Sequence, residues 1–146
     1  SLSAWKAVNT NLLEFEDFQV KGTFTVNTDM MFSTSRTLAV SAGEVVADTF
    51  NINTFRSAKY IVTCEDYTLG TTAYWTGEVA LVHDETDTAM SVYGEVEIGA
   101  ISIEPGIATD ILGTDVRLKL TTVSDQQVIT VHRTVCTNYD GTPWAP

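Results

Sequence analysis

The sequence predicts an all-β fold, an antiparallel sandwich of the jelly-roll or immunoglobulin kind, with an extended arm at each end. Three observations predict it. Apolar residues recur at alternate positions in short runs, the period of a strand with one buried face. Gly, Pro, Asn and Asp gather between those runs as turn chemistry. No segment keeps the period of an amphipathic helix for long enough to matter. The 146 residues are expected to form a single domain, with arms at residues 1–12 and 137–146 around a sandwich at residues 13–136.

Residues 1–12 are small and polar apart from Trp5 and Val8, an arm that needs something else to hold it. In residues 13–20, Leu13 and Phe15 take one parity and Phe18 and Val20 the other, which a bulge near Asp17 would reconcile. Residues 22–26 alternate cleanly, with Phe24 and Val26 on one side. A polar loop then leads to residues 37–40, and Gly43 turns the chain towards residues 44–50.

Residues 48–64 read as a turn followed by a central strand, because β-branched and aromatic side chains fit a pleated, packed surface. Ala58, Tyr60, Val62 and Cys64 share one face, Ile61 and Thr63 the other, and both faces are expected to be covered. The next strand, residues 74–84, puts Trp75, Val79 and Leu81 on one side and Ala80 and Val82 on the other. Gly77 inside it predicts a bulge or the close approach of another group. Residues 84–88 form a polar hairpin tip. On the return strand, Met90, Val92, Val96 and Ile98 are expected inside and Tyr93, Glu95 and Glu97 outside. Ile101 and Ile103 continue it to a turn at residues 104–106. Residues 109–115 read as an irregular link. Two strands close the sandwich, one burying Val116, Leu118 and Leu120, the other Ile129, Val131 and Val135. The tail adds Tyr139 and Trp144.

Composition narrows the function. Eight Lys and Arg stand against 19 Asp and Glu, a net charge of −11, and the cations are scattered. Neutralising phosphates needs clustered cations, so neither nucleic acid nor an anionic membrane is an expected partner. Nor does any apolar run reach the length of a membrane-spanning helix. Residues 1–11 lack the basic-then-apolar pattern of a signal peptide. Cys64 and Cys136 each sit within an apolar run, where cysteine behaves as a small hydrophobe; both are expected to be free and buried.

No catalytic constellation emerges, and no cofactor or metal is expected. His83 and Asp84 are adjacent on a strand, so they point to opposite faces and cannot form a His–carboxylate relay. His83 reads as a strand-end residue that hydrogen-bonds near the tip, and His132 falls on the solvent side of the last strand. Asp84, Glu85 and Asp87 gather oxygen ligands, but the loop lacks the length and glycine of an EF-hand. Cys64, His83, His132 and Cys136 lack the paired spacing of zinc ligands. The interface candidates are Trp5, Tyr139 and Trp144 as aromatic anchors on the arms, docking on a neighbour or on the chain's own core. Arg56 and Lys59 join them as cations available for a pair between elements or between subunits.

Four pieces of sequence carry a family resemblance: DTFNINTFRSAKYIV from Asp48, EVALVHDETDTAMSVYGEV from Glu78, DILGTDVRLKLT from Asp110 and TVHRTV from Thr130. Together they resemble a β-rich module of virion structural proteins in T4-like cyanophages, found in fibre-like, baseplate-associated and other structural proteins. The resemblance implies a non-enzymatic particle component, assembled in the host cytoplasm, with other virion proteins as partners (major capsid, neck or tail). It also implies a homo-oligomer, with a trimer as one form. Family members often carry the module at the end of a long chain. A lone copy with two arms fits a capsid decoration (cement) protein or a neck or tail adaptor. The alternative is a tail-fibre-type receptor- or glycan-binding domain.

Overall fold

The computed structural model describes residues 24–25, 32–68 and 72–138. Within them nine strands run in chain order: β1 (Phe24–Thr25), β2 (Phe32–Val40), β3 (Gly43–Asn51), β4 (Phe55–Asp66), β5 (Ala73–His83), β6 (Thr88–Gly99), β7 (Gly106–Leu112), β8 (Asp115–Thr122) and β9 (Gln127–Thr137). They pair antiparallel in two sheets, a six-stranded one ordered β1-β2-β9-β4-β5-β6 and a three-stranded one ordered β3-β8-β7. The fold is an all-β antiparallel sandwich. The expected bulge near Asp17 and the N-terminal arm lie outside the described residues, as does most of the C-terminal arm. Its first two residues belong to the sandwich. Thr137 ends β9, and Asn138 donates from its backbone to Thr54 O (3.1 Å) and from Nδ2 to Ile52 O (2.7 Å).

β4 is central, as its sequence predicts, with β9 on one side and β5 on the other. Its inward positions Tyr60, Val62 and Cys64 are fully buried against Trp75 and Val79 of β5 and Ile129 and Val131 of β9. From the smaller sheet, Ala47, Phe50, Val116, Leu118 and Leu120 close the core. Each such aliphatic side chain removed from water contributes roughly 1.5–3 kcal/mol before the entropy of ordering it is set against it. Cys64 is part of this layer, and burial pushes its thiol up to about 12. Cys136, expected to be buried too, is exposed instead, because it falls on the outward parity of β9. Cys64 pairs in register with Ile129 and Cys136 with Ser57, so the thiols stand about seven residues, roughly 23 Å, apart along β4 and cannot bridge.

One charged pair crosses between the sheets. β3 carries a bulge between Val46 and Asp48, so that Val45, Asp48 and Phe50 all oppose inward residues of β8. Asp48 therefore faces the core, not a turn as its sequence implies. It accepts a hydrogen bond from Arg133 of β9 at 2.7 Å, and the two side chains are only 15% and 14% exposed. The same guanidinium donates to Thr49 O at 2.7 Å and lies 6.0 Å from the Phe50 ring centre. Beside it, burial first and the Asp48 charge second push the Tyr60 phenol above its ordinary range.

A second bulge sets the sides of β6. Between the pairs Thr76–Val96 and Glu78–Tyr93, β5 advances by Gly77 alone while β6 advances by Gly94 and Glu95. Gly94 takes a left-handed backbone (φ 64°), the conformation of a bulge that opens on glycine. The extra residue reverses parity. Met90 and Val92 point to the core side as expected, but Val96 and Ile98 turn outward and Glu95 and Glu97 turn in. The predicted inside face of β6 thus holds for only half the strand. Even there Met90 is exposed, although two residues earlier the Thr88 hydroxyl meets that of Thr109 of β7 at 2.9 Å. Gly77, where the sequence called for a bulge or close approach, has both: the Trp75 ring lies over it, 2.6 Å from where a Cβ would stand.

After Gly99 the chain leaves the sheet, so Ile101 and Ile103 do not continue the strand. Glu97 instead accepts from Ile103 N–H (2.6 Å) and the Ser102 hydroxyl (3.1 Å), which seats Ile103 in the core. The expected irregular link at residues 109–115 is mostly strand. β7 reaches Leu112 and turns into β8 over two residues, with Gly113 in the left-handed region (φ 64°).

Two outcomes follow. Arg133→Ala should cost about 3 kcal/mol in a denaturant titration, because it leaves Asp48 buried without its partner; the double variant Asp48→Leu with Arg133→Met should recover most of that. Gly94→Ala should cost only about 1 kcal/mol, since it strains backbone in open space, and Gly94→Asn less, whereas Gly77→Ala should cost more than either by displacing Trp75.

Candidate docking face

The two outward faces of the sandwich differ in chemistry. On the smaller sheet, alternate residues of β8 bring Arg117 and Lys119 to the surface. Arg117 donates two bonds of 2.6 Å to the Asp110 carboxylate across the β7–β8 pair, and Lys119 reaches Asp110 at 3.1 Å and Glu44 at 3.4 Å. Arg117 chiefly, with Lys119 behind it, holds the Asp110 carboxyl down to about 2 against an ordinary 3.8. Ion pairs knit the middle of that face, and at its end Leu112 stands 62% exposed.

On the outward face of the larger sheet polar and apolar side chains interleave, Ile61 and Tyr93 flanking Glu78 and Val96 beside Thr76. Lys59 of β4 pairs with Glu78 of β5 at 2.6 Å and lies 5.7 Å from the Tyr93 ring centre. Thr76 donates to Val62 O at 3.1 Å, and its hydroxyl meets that of Thr63 at 3.3 Å. Towards the edge, aliphatic and tyrosine side chains stand in the open: Ile61, Tyr74, Val82 and Tyr93, then Val96 at 65% and Ile98 at 72% exposure. Ile61 corrects the expectation that both faces of β4 are covered. A shallow open hollow of about 690 Å³ runs across four strands beside them, floored by the small side chains of Ser57, Ala80, Ala89, Ser91, Thr134 and Cys136.

Arg56 and Lys59 are both engaged within the chain. Arg56 donates to His83 O (3.2 Å) and to Glu85 Oε1 (2.8 Å), fastening the start of β4 to the β5–β6 hairpin. Glu85 sits at φ 81°, a conformation a non-glycine side chain adopts at some strain, and the ion pair helps to hold it there. Trp5, Tyr139 and Trp144 lie outside the described residues. Trp75, by contrast, is core.

His83 is buried, with both ring nitrogens in use: Nε2 donates to Phe55 O at 2.7 Å and Nδ1 accepts from Glu85 N–H at 3.1 Å. The ring ties β4 to the hairpin, as the sequence reading of a strand-end hydrogen bond anticipates. Asp84 is equally structural. Its Oδ1 accepts from Thr86 N–H (2.9 Å) and Asp87 N–H (2.7 Å), which lowers its pKa and closes the tip. Among the described residues no group of three or more His, Cys, Asp or Glu is arranged to hold a metal ion.

No protein-family model matches the chain, nor does any curated protein. Solved structures that resemble it include phage tailspikes. The tailspike of Acinetobacter baumannii phage AM24 is 11% identical, with a TM-score of 0.49 over 77% of this chain. Tailspike gp49 of A. baumannii bacteriophage Fri1, a capsular polysaccharide depolymerase, is 16% identical, with a TM-score of 0.45 over 79% of this chain. This chain spans 27% of the first of those proteins and 19% of the second. At such identity nothing of their chemistry passes to it.

The Asp110 network supplies a pH test. A carboxyl held below its ordinary value stabilises the fold fully above about pH 4, and the contribution is lost as pH falls through the folded value of about 2. Asp110→Asn should melt below the parent protein at pH 6, and the gap in melting temperature should close by about pH 2. A gap that stayed constant across that range would assign the loss to packing.

Proposed function

We propose that this chain is a non-enzymatic attachment module of a bacteriophage particle, docking on a neighbouring virion protein through the open end of β5 and β6. The asymmetry of the two outward faces carries this reading. One is knit by paired charges and, among the described residues of its strands, exposes a single large apolar side chain, Leu112, while the other leaves Tyr74, Tyr93, Val96 and Ile98 together in water, the aromatic and aliphatic mixture of an interface core. The role in a particle is supported by the resemblance of the sequence to cyanophage virion modules. A tail-associated position suits a module that carries one open face, and a capsid decoration or neck adaptor would use the same face.

A second reading has its own observation. Tyr67, Tyr74 and Tyr93 are all exposed, with Tyr74 and Tyr93 on the same face, and tyrosine rings stack on sugars as well as on proteins. On that reading the module recognises a host-surface glycan.

Val96→Asp with Ile98→Asp tests the first reading. Both side chains are on the surface, so stability should change by no more than about 0.5 kcal/mol while incorporation into purified particles falls by about tenfold or more. Normal incorporation would sink it. Glycan-array binding abolished by Tyr74→Ala or Tyr93→Ala would favour the second reading.

A further inference from the structure

β6 is an edge. It pairs with β5 on one side, and among the described residues no strand pairs with the other. At twelve residues it is as long as any strand in the fold, and nearly all of it is exposed. Free edges carry a row of unpaired backbone donors and acceptors and are a ready template for another strand.

Its surroundings are predominantly acidic, the Lys59 ammonium by Tyr93 being already paired with Glu78. Residues 60–116, from the middle of β4 to the start of β8, contain eleven Asp and Glu and no Lys or Arg. β6 itself bears Glu95 and Glu97, and Glu104 follows. The cations whose side chains the structure describes are held by the chain's own carboxylates: Arg56 by Glu85, Lys59 by Glu78, Arg117 and Lys119 by Asp110, and Arg133 by Asp48. None is left over to meet an acidic partner at this edge.

Taking as given that this side of the molecule is the docking face, we infer that β6 receives an extended segment of a partner protein by strand addition, and that the segment alternates apolar and basic side chains. The backbone edge supplies the hydrogen bonds, while Val96 and Ile98 receive the apolar positions on one face. Glu95 faces the basic positions on the other, with Glu97 beside it held by Ile103 N–H and the Ser102 hydroxyl; alternation puts the two kinds of side chain on opposite sides, and the Gly94 bulge decides which side each takes. A second copy of this chain is a poor occupant. It would bring another β6, with its own glutamates and no cation, against the first.

The test uses the full chain and three labelled peptides of about ten residues: alternating Val and Lys, alternating Val and Glu, and the Val–Lys peptide with every second backbone nitrogen methylated. By fluorescence anisotropy the Val–Lys peptide should bind at least about tenfold more tightly than the Val–Glu peptide, and weaken several-fold as salt rises from about 0.05 to 0.5 M. Glu95→Lys should narrow the preference. The methylated peptide keeps its charges but loses backbone donors, and should bind at least about tenfold more weakly. Equal binding of the Lys and Glu peptides overturns the charge assignment, and equal binding of the methylated peptide overturns strand addition. Failure of all three to bind overturns both, as does sedimentation showing self-association that Glu95→Lys strengthens or abolishes. The docking reading is judged separately by the particle incorporation of the Val96→Asp, Ile98→Asp variant, so the two can fail independently.

Discussion

A guanidinium and a carboxylate placed between two sheets hold much of this architecture in register. Arg133 arrives on β9 and Asp48 on β3, and they can meet only because a bulge swings the acid inward. Their attraction alone does not stabilise the sandwich strongly, since removing two charges from water offsets much of the gain. What the pair enforces is position. A slipped β3 would leave Arg133 buried beside Phe50 and Tyr60 without a counter-charge, which is far worse than the native arrangement. The inward faces of both sheets, and hence which residues are left outward, follow from that alignment.

The motifs that carry the family resemblance turn out to be fasteners. Asp48 belongs to the first piece and Arg133 to the last. Arg56, in the first, grips the carbonyl of His83 and the carboxylate of Glu85 in the second. Asp110 and Arg117, both in the third, grip each other. Arg56, His83, Asp84 and Asp110, which stand out as candidate chemistry, are occupied in joining one strand or loop to another or in closing the hairpin tip. The fold is defined by how it is tied together, and none of those ties uses the outward Val96 and Ile98.

Much of the fold was legible because it follows from local pattern. Alternation placed β4, β5, β8 and β9, and turn chemistry placed the hairpin tip. Gly77 announced its bulge, and strand geometry excluded a His83–Asp84 relay. What escaped was non-local. Whether Met90 is buried depends on the packing of the two sheets against each other, which no residue near Met90 records. Val96 and Ile98 looked inward because Gly94 sits in a smooth alternation that gives no hint of an inserted residue. The Asp48–Arg133 pair joins positions 85 residues apart, and an Arg within an apolar strand reads as solvent-facing until a partner is found. β7 reads as a link because a short edge strand, with Asp110 and a following Gly113, lacks a buried face's clean alternation. The candidate docking face was therefore only partly readable: Tyr93 reads as outward, but alternation assigns Val96 and Ile98 to the core.

The bulge in β6 also bears on how such a module diversifies. One glycine decides which side of the sheet the end of that strand presents. Lose it, and the valine and isoleucine trade sides with the glutamates without any side chain being changed. A single-codon deletion there exchanges a greasy exterior for an acidic one on the same scaffold, leaving the Asp48–Arg133 tie in place at the cost of the two bonds by which Glu97 seats Ile103.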